Sequence, residues 1–296
     1  MDAETAMTNK LPLAGPQLAL LEKPGGTRIL KTVICEETTR LCVEQFGDRL
    51  RALVLTGSLA RDEATFVGER ERWRTLGDVE FLPVFDERAS LPPVAAIGWL
   101  RQRIEDELLR RGLSCHVELS AVHTSYLRKL RPHIFAYELR ACGQVVWGEP
   151  EILSLIPAFS ACRIPLEDAW RLLCNRMIEQ FEVAGELAEA REVLSLDLHY
   201  RTVKLYLDMA TTFLLFVGAY APTYRDRLEK LKVLLDGASA EDPYPFPLRP
   251  FCERVAACTQ FKLLGVERGD FSQPKGKIGT GSAFWEEAVV YARLLW

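Results

Sequence analysis

The run RALVLTG at 51–57 constrains the fold more than any other feature of this chain. It is short, partly β-branched and stopped by glycine, so it reads as a buried strand. VEFLPVF at 79–85 reads the same way, and SCHVELSAV at 114–122 reads as a third strand. Helices are expected around them. Thr27 caps one that runs to about Phe46, with Leu30, Val33, Ile34, Leu41 and Val43 as its apolar stripe and Gly47 as its stop. Ser90 and the two prolines after it open another, which ends at Gly112. The segment Ser58–Gly77 is polar and charged, with Asp62–Gly77 reading as an inserted loop, 124–142 as helix and QVVW at 144–147 as a short strand.

The character changes after Pro150. Helical patterning predicts helices at about 166–184, 188–219, 222–235, 248–267 and 283–296, with proline- and glycine-rich linkers between them. The expected class is α+β: a mixed sheet with flanking helices, then an all-helical C-terminal domain. The parts are a lead-in over 1–27, a sheet domain over 28–155 and a helical domain over 156–296. A length of 296 residues suits one large domain or two modest ones.

Apolar residues make up 48% of the chain, enough to offset chain entropy, so disorder is excluded for most of it. The net charge of −4 argues against a generic polyanion binder. Eight cysteines without a CxxC pair point to a reducing compartment, and four dispersed histidines argue against structural zinc. The polar start MDAETAMTNK does not read as a secretory signal, and Met209–Pro222 is too short to span a bilayer. The expected location is the cytoplasm.

Three features of the first half carry chemistry. The first strand ends in Gly57-Ser58, the second opens with Asp78-Val79-Glu80, and the third carries Glu118. Residues two apart on a strand share a face, so Asp78 and Glu80 point one way while Val79 and Phe81 enter the core. His116, Glu118 and Ser120 form the polar face of the third strand. On neighbouring strands the three carboxylates converge, which is tolerable only with a cation present or a proton retained. Mg²⁺, which prefers hard oxygen ligands and bridges carboxylates to phosphates, is the natural cation. A glycine lets phosphate approach the backbone, and a serine hydroxyl can donate to it. Taken singly, each feature has a plain reading: solvated strand-edge acids at 78 and 80, Glu118 paired with His116 or Arg128, and Gly57-Ser58 as a turn and helix cap.

A strand ending in Gly-Ser, a second strand with Asp-x-Glu and a third acidic strand, in that order, resemble the polymerase-β-like nucleotidyltransferase superfamily over about residues 28–150. The resemblance implies that Asp78, Glu80 and Glu118 hold two divalent metals, expected to be Mg²⁺. It implies that Gly57 and Ser58 grip the β- and γ-phosphates of ATP or another nucleoside triphosphate, with Arg61 in the nucleotide-binding set. An acceptor hydroxyl then attacks the α-phosphorus and pyrophosphate leaves, with Glu118 as general base. The chain departs from the pattern in the 19 residues between Ser58 and Asp78, in Asp62 and Glu63 where a small residue is usual, and in Glu80 where Asp is more frequent.

Family members often place a cation from the helical domain against the triphosphate. Lys204 is the first choice and Arg201 the second, on a helix face that also carries Asp208. The same face reads equally as a solvated one with a Lys204–Asp208 pair. Tyr224-Arg225 reads as a surface helix start. QPKGKIGTGS at 273–282 reads as a surface loop capped by Thr280 or Ser282, not a Walker motif. The Trp and Phe residues from 170 to 216 read as core.

The expected activity is transfer of AMP or another nucleoside monophosphate to a hydroxyl of a small molecule, with an aminoglycoside-type acceptor as an analogy. Nucleotidyl transfer to a protein or RNA end, or a catalytically silent nucleotide-binding module of the same fold, are the alternatives.

Overall fold

A computed structural model describes residues 26–69, 72–188, 195–239, 244–264 and 282–296. Residues 1–25 of the lead-in and 273–281 of the glycine-rich segment lie outside the described residues, while Gly26 and Thr27, read as the end of the lead-in, already belong to the first helix. Helix α1 (Gly26–Phe46) buries Leu30, Ile34 and Leu41, and Gly47, at φ +54°, ends it. Strand β1 (Leu50–Thr56) follows, then a helical turn, α2 (Gly57–Ala60). Strand β4 (Val79–Phe85) pairs antiparallel with β1, Leu55 opposite Phe81 and Thr56 opposite Glu80. Beyond β4 lie β6 (Val117–Leu119) and β7 (Val122–His123), both parallel to it. On the other side β8 (Gln144–Gly148) pairs antiparallel with β1. The sheet is therefore mixed, in the order β6-β4-β1-β8.

Both faces of this sheet are covered, which explains why its two central strands read as continuous apolar runs. Leu53, Leu55, Phe81 and Phe85 pack with Leu30 and Ile34 of α1 and with Leu100, Ile104 and Leu108 of α3 (Val94–Arg110). Ala52, Val54, Leu82 and Val84 face the other way. They meet Leu127 of α4 (Thr124–Lys129) and Ala136 and Leu139 of α5 (Ile134–Cys142). Thr56 and Glu80 continue this second face, at the end where its apolar cover gives out.

Four local expectations are corrected. Asp62–Gly77 is not simply a loop: it contains a hairpin of β2 (Phe66–Glu69) and β3 (Arg72–Thr75). Phe66 and Trp73 are buried in the sheet core, and the charges between them masked that pattern. The third strand is broken into β5 (Leu113–Ser114), β6 and β7, and β5 joins the hairpin in a separate three-stranded sheet. The stretch 124–142 is two helices, divided at Pro132, which cannot donate to a helix ladder. Helix α3 begins at Val94, after both prolines, rather than at Ser90.

The helical half is built around α7 (Leu196–Phe216), which is buried almost throughout apart from the face carrying Arg201 and Lys204. It packs against α6 (Leu166–Ala188), α8 (Tyr224–Gly237), α9 (Leu248–Leu264) and α10 (Ser282–Leu295). Tyr206 stacks on Phe284, with ring centres 5.4 Å apart. Phe213 is core as expected, but Phe181 on α6 is 77% exposed. All eight cysteines are free thiols. Among the described residues no helix is long and apolar enough to cross a membrane.

His199 lies buried in this half, its ring centre 5.3 Å from that of Phe261 and 5.2 Å from that of Phe284. Neither ring nitrogen has a hydrogen-bond partner among the described residues. Burial lowers its pKa from 6.5 to about 4. Between those values the unfolded chain binds the extra proton, so stability is full above pH 6.5 and falls as the pH drops toward 4. The loss from this one group is about 3 kcal/mol. Urea unfolding at about pH 7.5 and about pH 4.5 is expected to show a smaller acid loss, by that amount, in His199→Phe than in the native chain.

Candidate active site

The end of β1 and the start of β4 meet at Gly57. Its φ of +69° is a left-handed conformation that strains any side chain. A Cβ there would also lie 2.8 Å from Oε1 of Glu80. The backbone conformation is what calls for glycine, and the Glu80 carboxylate, the flexible end of its side chain, lies close beside this turn. The Thr56 side chain, at the N-cap position, does not cap α2.

Glu80 and Glu118 are register partners across the parallel pair β4–β6. Their side chains therefore leave one face of the sheet, on strands about 4.8 Å apart. Asp78 lies two residues before Glu80 and shares that side. Burial follows the alternation: Val79, Phe81, Val117 and Leu119 are buried, Asp78 and Glu118 are exposed, and Glu80 is half-buried. Among the described residues none of the three acids enters a hydrogen bond or ion pair. The partners considered for Glu118 are engaged elsewhere. His116 lies 3.1 Å from Glu105 through Nδ1, and Arg128 pairs with Glu87. Burial raises the pKa of the Glu80 carboxyl above its ordinary value, and the Glu118 and Asp78 charges add to this while Arg61 opposes it.

The donor set of Asp78, Glu80 and Glu118 is all carboxylate oxygen, with no ion-pair partner among the described residues, and oxygen donors of this kind fit Mg²⁺. Among the described residues no three acidic, His or Cys side chains are drawn into a ready-made coordination sphere. The acids share a face but are not clenched around one point.

A cleft of about 220 Å³ opens in front of them, between the sheet and the helical half. Thr56, Gly57, Ser58, Asp78 and Glu80 line one side, while Glu118 lies one strand outward of the lining. From the helical half come Tyr200, Lys204 and Lys262. Lys262 is 3% exposed, and its Nζ donates to the Tyr200 hydroxyl. Burial pushes the Tyr200 phenol up, but Lys262 and Lys204 outweigh it and hold its pKa below the ordinary value. Lys204 has no ion-pair partner among the described residues. The expected Lys204–Asp208 pair is not formed, because Asp208 accepts from Arg176 Nε at 2.7 Å.

Arg201, the second choice for a phosphate cation, pairs with Glu182 instead. It lines a neighbouring hollow with Glu179 and Asp197 and does not line the cleft. Arg61 does line the cleft, 7% exposed, in ion pairs with Glu63 at 3.1 Å and Glu138 at 2.5 Å. Tyr224, read as a surface helix start, also lines the cleft, whereas Arg225 is exposed. Glu138, Arg176, Arg227 and Lys262 were not anticipated. Arg176 follows Leu173 by three residues and Arg227 precedes Leu231 by four, so both occupy core positions of their helices. A charge at a core position was the available signal.

Compared with known proteins, the chain matches no family model and no curated sequence.

Gly47 and Gly57 separate backbone strain from close approach. Both have positive φ, but a Cβ at Gly47 meets nothing within 4 Å. Gly47→Ala is expected to lower unfolding free energy by about 1 kcal/mol, from strain alone. Gly57→Ala is expected to lose somewhat more than Gly47→Ala, about 1–2 kcal/mol, because the Glu80 carboxylate must also turn aside. Parallel urea titrations of the two variants check this difference.

Proposed function

We propose that the chain is a divalent-metal-dependent nucleotidyltransferase that moves a nucleoside monophosphate from a nucleoside triphosphate to a hydroxyl of a small acceptor. The observation that carries the reading is the shared face of Asp78, Glu80 and Glu118 beside Gly57, three acids with no ion-pair partner among the described residues. In this reading Asp78 and Glu80 hold Mg²⁺ together with Glu118. When bound, Mg²⁺ supplies charge neutralisation on the phosphates and lowers the pKa of the acceptor hydroxyl.

The rest of the chemistry falls to the chain. Gly57 and Ser58 receive the phosphate tail, the glycine by leaving room at the backbone and the serine by donating its hydroxyl. Lys204, facing them across the cleft, balances the tail's charge. The Lys262–Tyr200 pair adds a second positive group, buried and without a carboxylate partner among the described residues. Glu118 takes the proton of the acceptor hydroxyl as the new oxygen–phosphorus bond forms and the bond from the α-phosphorus to pyrophosphate breaks. Positioning and charge balance account for most of the rate in such chemistry. A net charge of −4 with no basic stripe favours a small acceptor over nucleic acid.

A thermal-shift panel of the four nucleoside triphosphates, with and without Mg²⁺, tests the reading. At least one triphosphate is expected to raise Tm by about 5 °C at a hundredfold excess over its Kd, only with Mg²⁺. Asp78→Asn combined with Glu80→Gln is expected to abolish the metal-dependent part. Lys204→Met is expected to weaken triphosphate binding about tenfold and leave monophosphate binding unchanged. A shift that survives loss of both acids contradicts the assignment.

A further inference from the structure

The turn that carries Gly57 and Ser58 is tied to the helical half through two carboxylates, one buried and one half-buried, neither of them in the acidic trio. Glu63, 0% exposed, donates its backbone N–H to the Ser58 carbonyl at 2.8 Å. Its side chain accepts from Arg61 Nε at 3.1 Å and from the Arg225 amide at 3.2 Å. The Arg61 amide in turn donates to the Gly57 carbonyl at 3.4 Å. Glu138, on α5, is the meeting point. One oxygen accepts from Arg61 at 2.5 Å; the other accepts from the Tyr220 hydroxyl at 2.6 Å and from Arg227.

Arg227 is itself fixed by the helical half. It donates to the Ala221 carbonyl at 2.7 Å and to Thr211 Oγ1 at 2.9 Å, and it lies 4.9 Å over the Tyr220 ring and 5.0 Å over the Tyr224 ring. Two guanidinium groups thus share one carboxylate. Each is held by a different half of the molecule, with the phosphate turn at one end of the chain of contacts. Low exposure makes such charge-assisted bonds directional and hard to replace with water.

We propose that Glu138 is a positioning residue: through Arg61 it sets the Gly57–Ser58 turn, and through Arg227 and Tyr220 it fixes that turn at one spacing from the helical wall bearing Lys204. The proposal rests on reading Gly57-Ser58 as the phosphate turn. It assigns Glu138 no contact with substrate and no proton to transfer. Its role is to keep the turn and Lys204 at the separation a phosphate tail needs before the tail arrives.

Amide hydrogen exchange followed by mass spectrometry, on the full chain with no nucleotide, tests the positioning itself. In Glu138→Gln, exchange across residues 57–63 is expected to speed up about tenfold, with 50–55 in β1 and 203–214 in α7 unchanged. Tyr220→Phe, which removes a donor and no charge, is expected to give a smaller acceleration in the same peptides. It keeps the proposal falsifiable if Glu138→Gln does not fold. Unchanged exchange at 57–63 in the folded variants, or an equal acceleration over the whole chain, overturns the proposal. In a parallel titration, Glu138→Gln is expected to raise the Kd for Mg–ATP about tenfold and leave AMP unaffected. An unaltered Mg–ATP Kd in that variant also overturns it. If the native chain binds none of the four nucleoside triphosphates with Mg²⁺, the nucleotidyltransferase reading fails, and the exchange result alone decides the role of Glu138.

Discussion

Like charges forced onto one face of a sheet organise this molecule. Strand pairing sets Glu80 opposite Glu118, and strand alternation puts Asp78 on the same side. Elsewhere in the cleft acids are matched: Glu63 and Glu138 hold Arg61, and Asp208 holds Arg176. The contrast matters more than the number of acids. A fold that pairs its other cleft carboxylates with arginine leaves these three without an ion-pair partner among the described residues; burial first, and then the Glu118 and Asp78 charges, raise the pKa of Glu80.

Packing explains why the cleft opens where it does. The central strands send alternate residues into two cores, one under α1 and α3, the other under α4 and α5. The second core ends before Thr56 and Glu80. Past that edge the helical half supplies the opposite wall, so polar groups from both halves meet over the same residues. A buried arginine network fills the rest of the space. It demands good geometry because an unpaired charge there would be costly. The hairpin reinforces the arrangement: the Thr65 hydroxyl donates to the Lys262 carbonyl at 2.9 Å, and Arg74 pairs with Asp197 at 2.8 Å.

Much of this was legible from local pattern. Val79–Phe85 matches its expected span because an apolar run buried on both faces admits few alternatives. Gly57, Ser58, Asp78 and Glu80 came together as expected because strand alternation and one turn are enough to place them. The hairpin at 66–75 was hidden because charged residues surround Phe66 and Trp73 and read as loop. The break at 115–116 was hidden because Cys115 and Val117 fit a single alternating strand, whereas the chain crosses there between two sheets. Arg201 and Lys204 share a helix, and spacing alone could not say which would face the cleft. The partners of Arg61 and Arg227 are long-range contacts, and no local window holds them. The α+β architecture is therefore seen directly, while nucleotidyl transfer remains the proposal that best accounts for the bare carboxylates.

The most direct measurement is a crystal structure of the protein with Mn²⁺ in place of Mg²⁺ and a non-hydrolysable nucleoside triphosphate, with the metal located by its anomalous signal. The account predicts metal about 2.1 Å from carboxylate oxygens of both Asp78 and Glu80, with the phosphate tail on Gly57 and Ser58. A triphosphate bound away from that turn, or metal that avoids both acids, would contradict it.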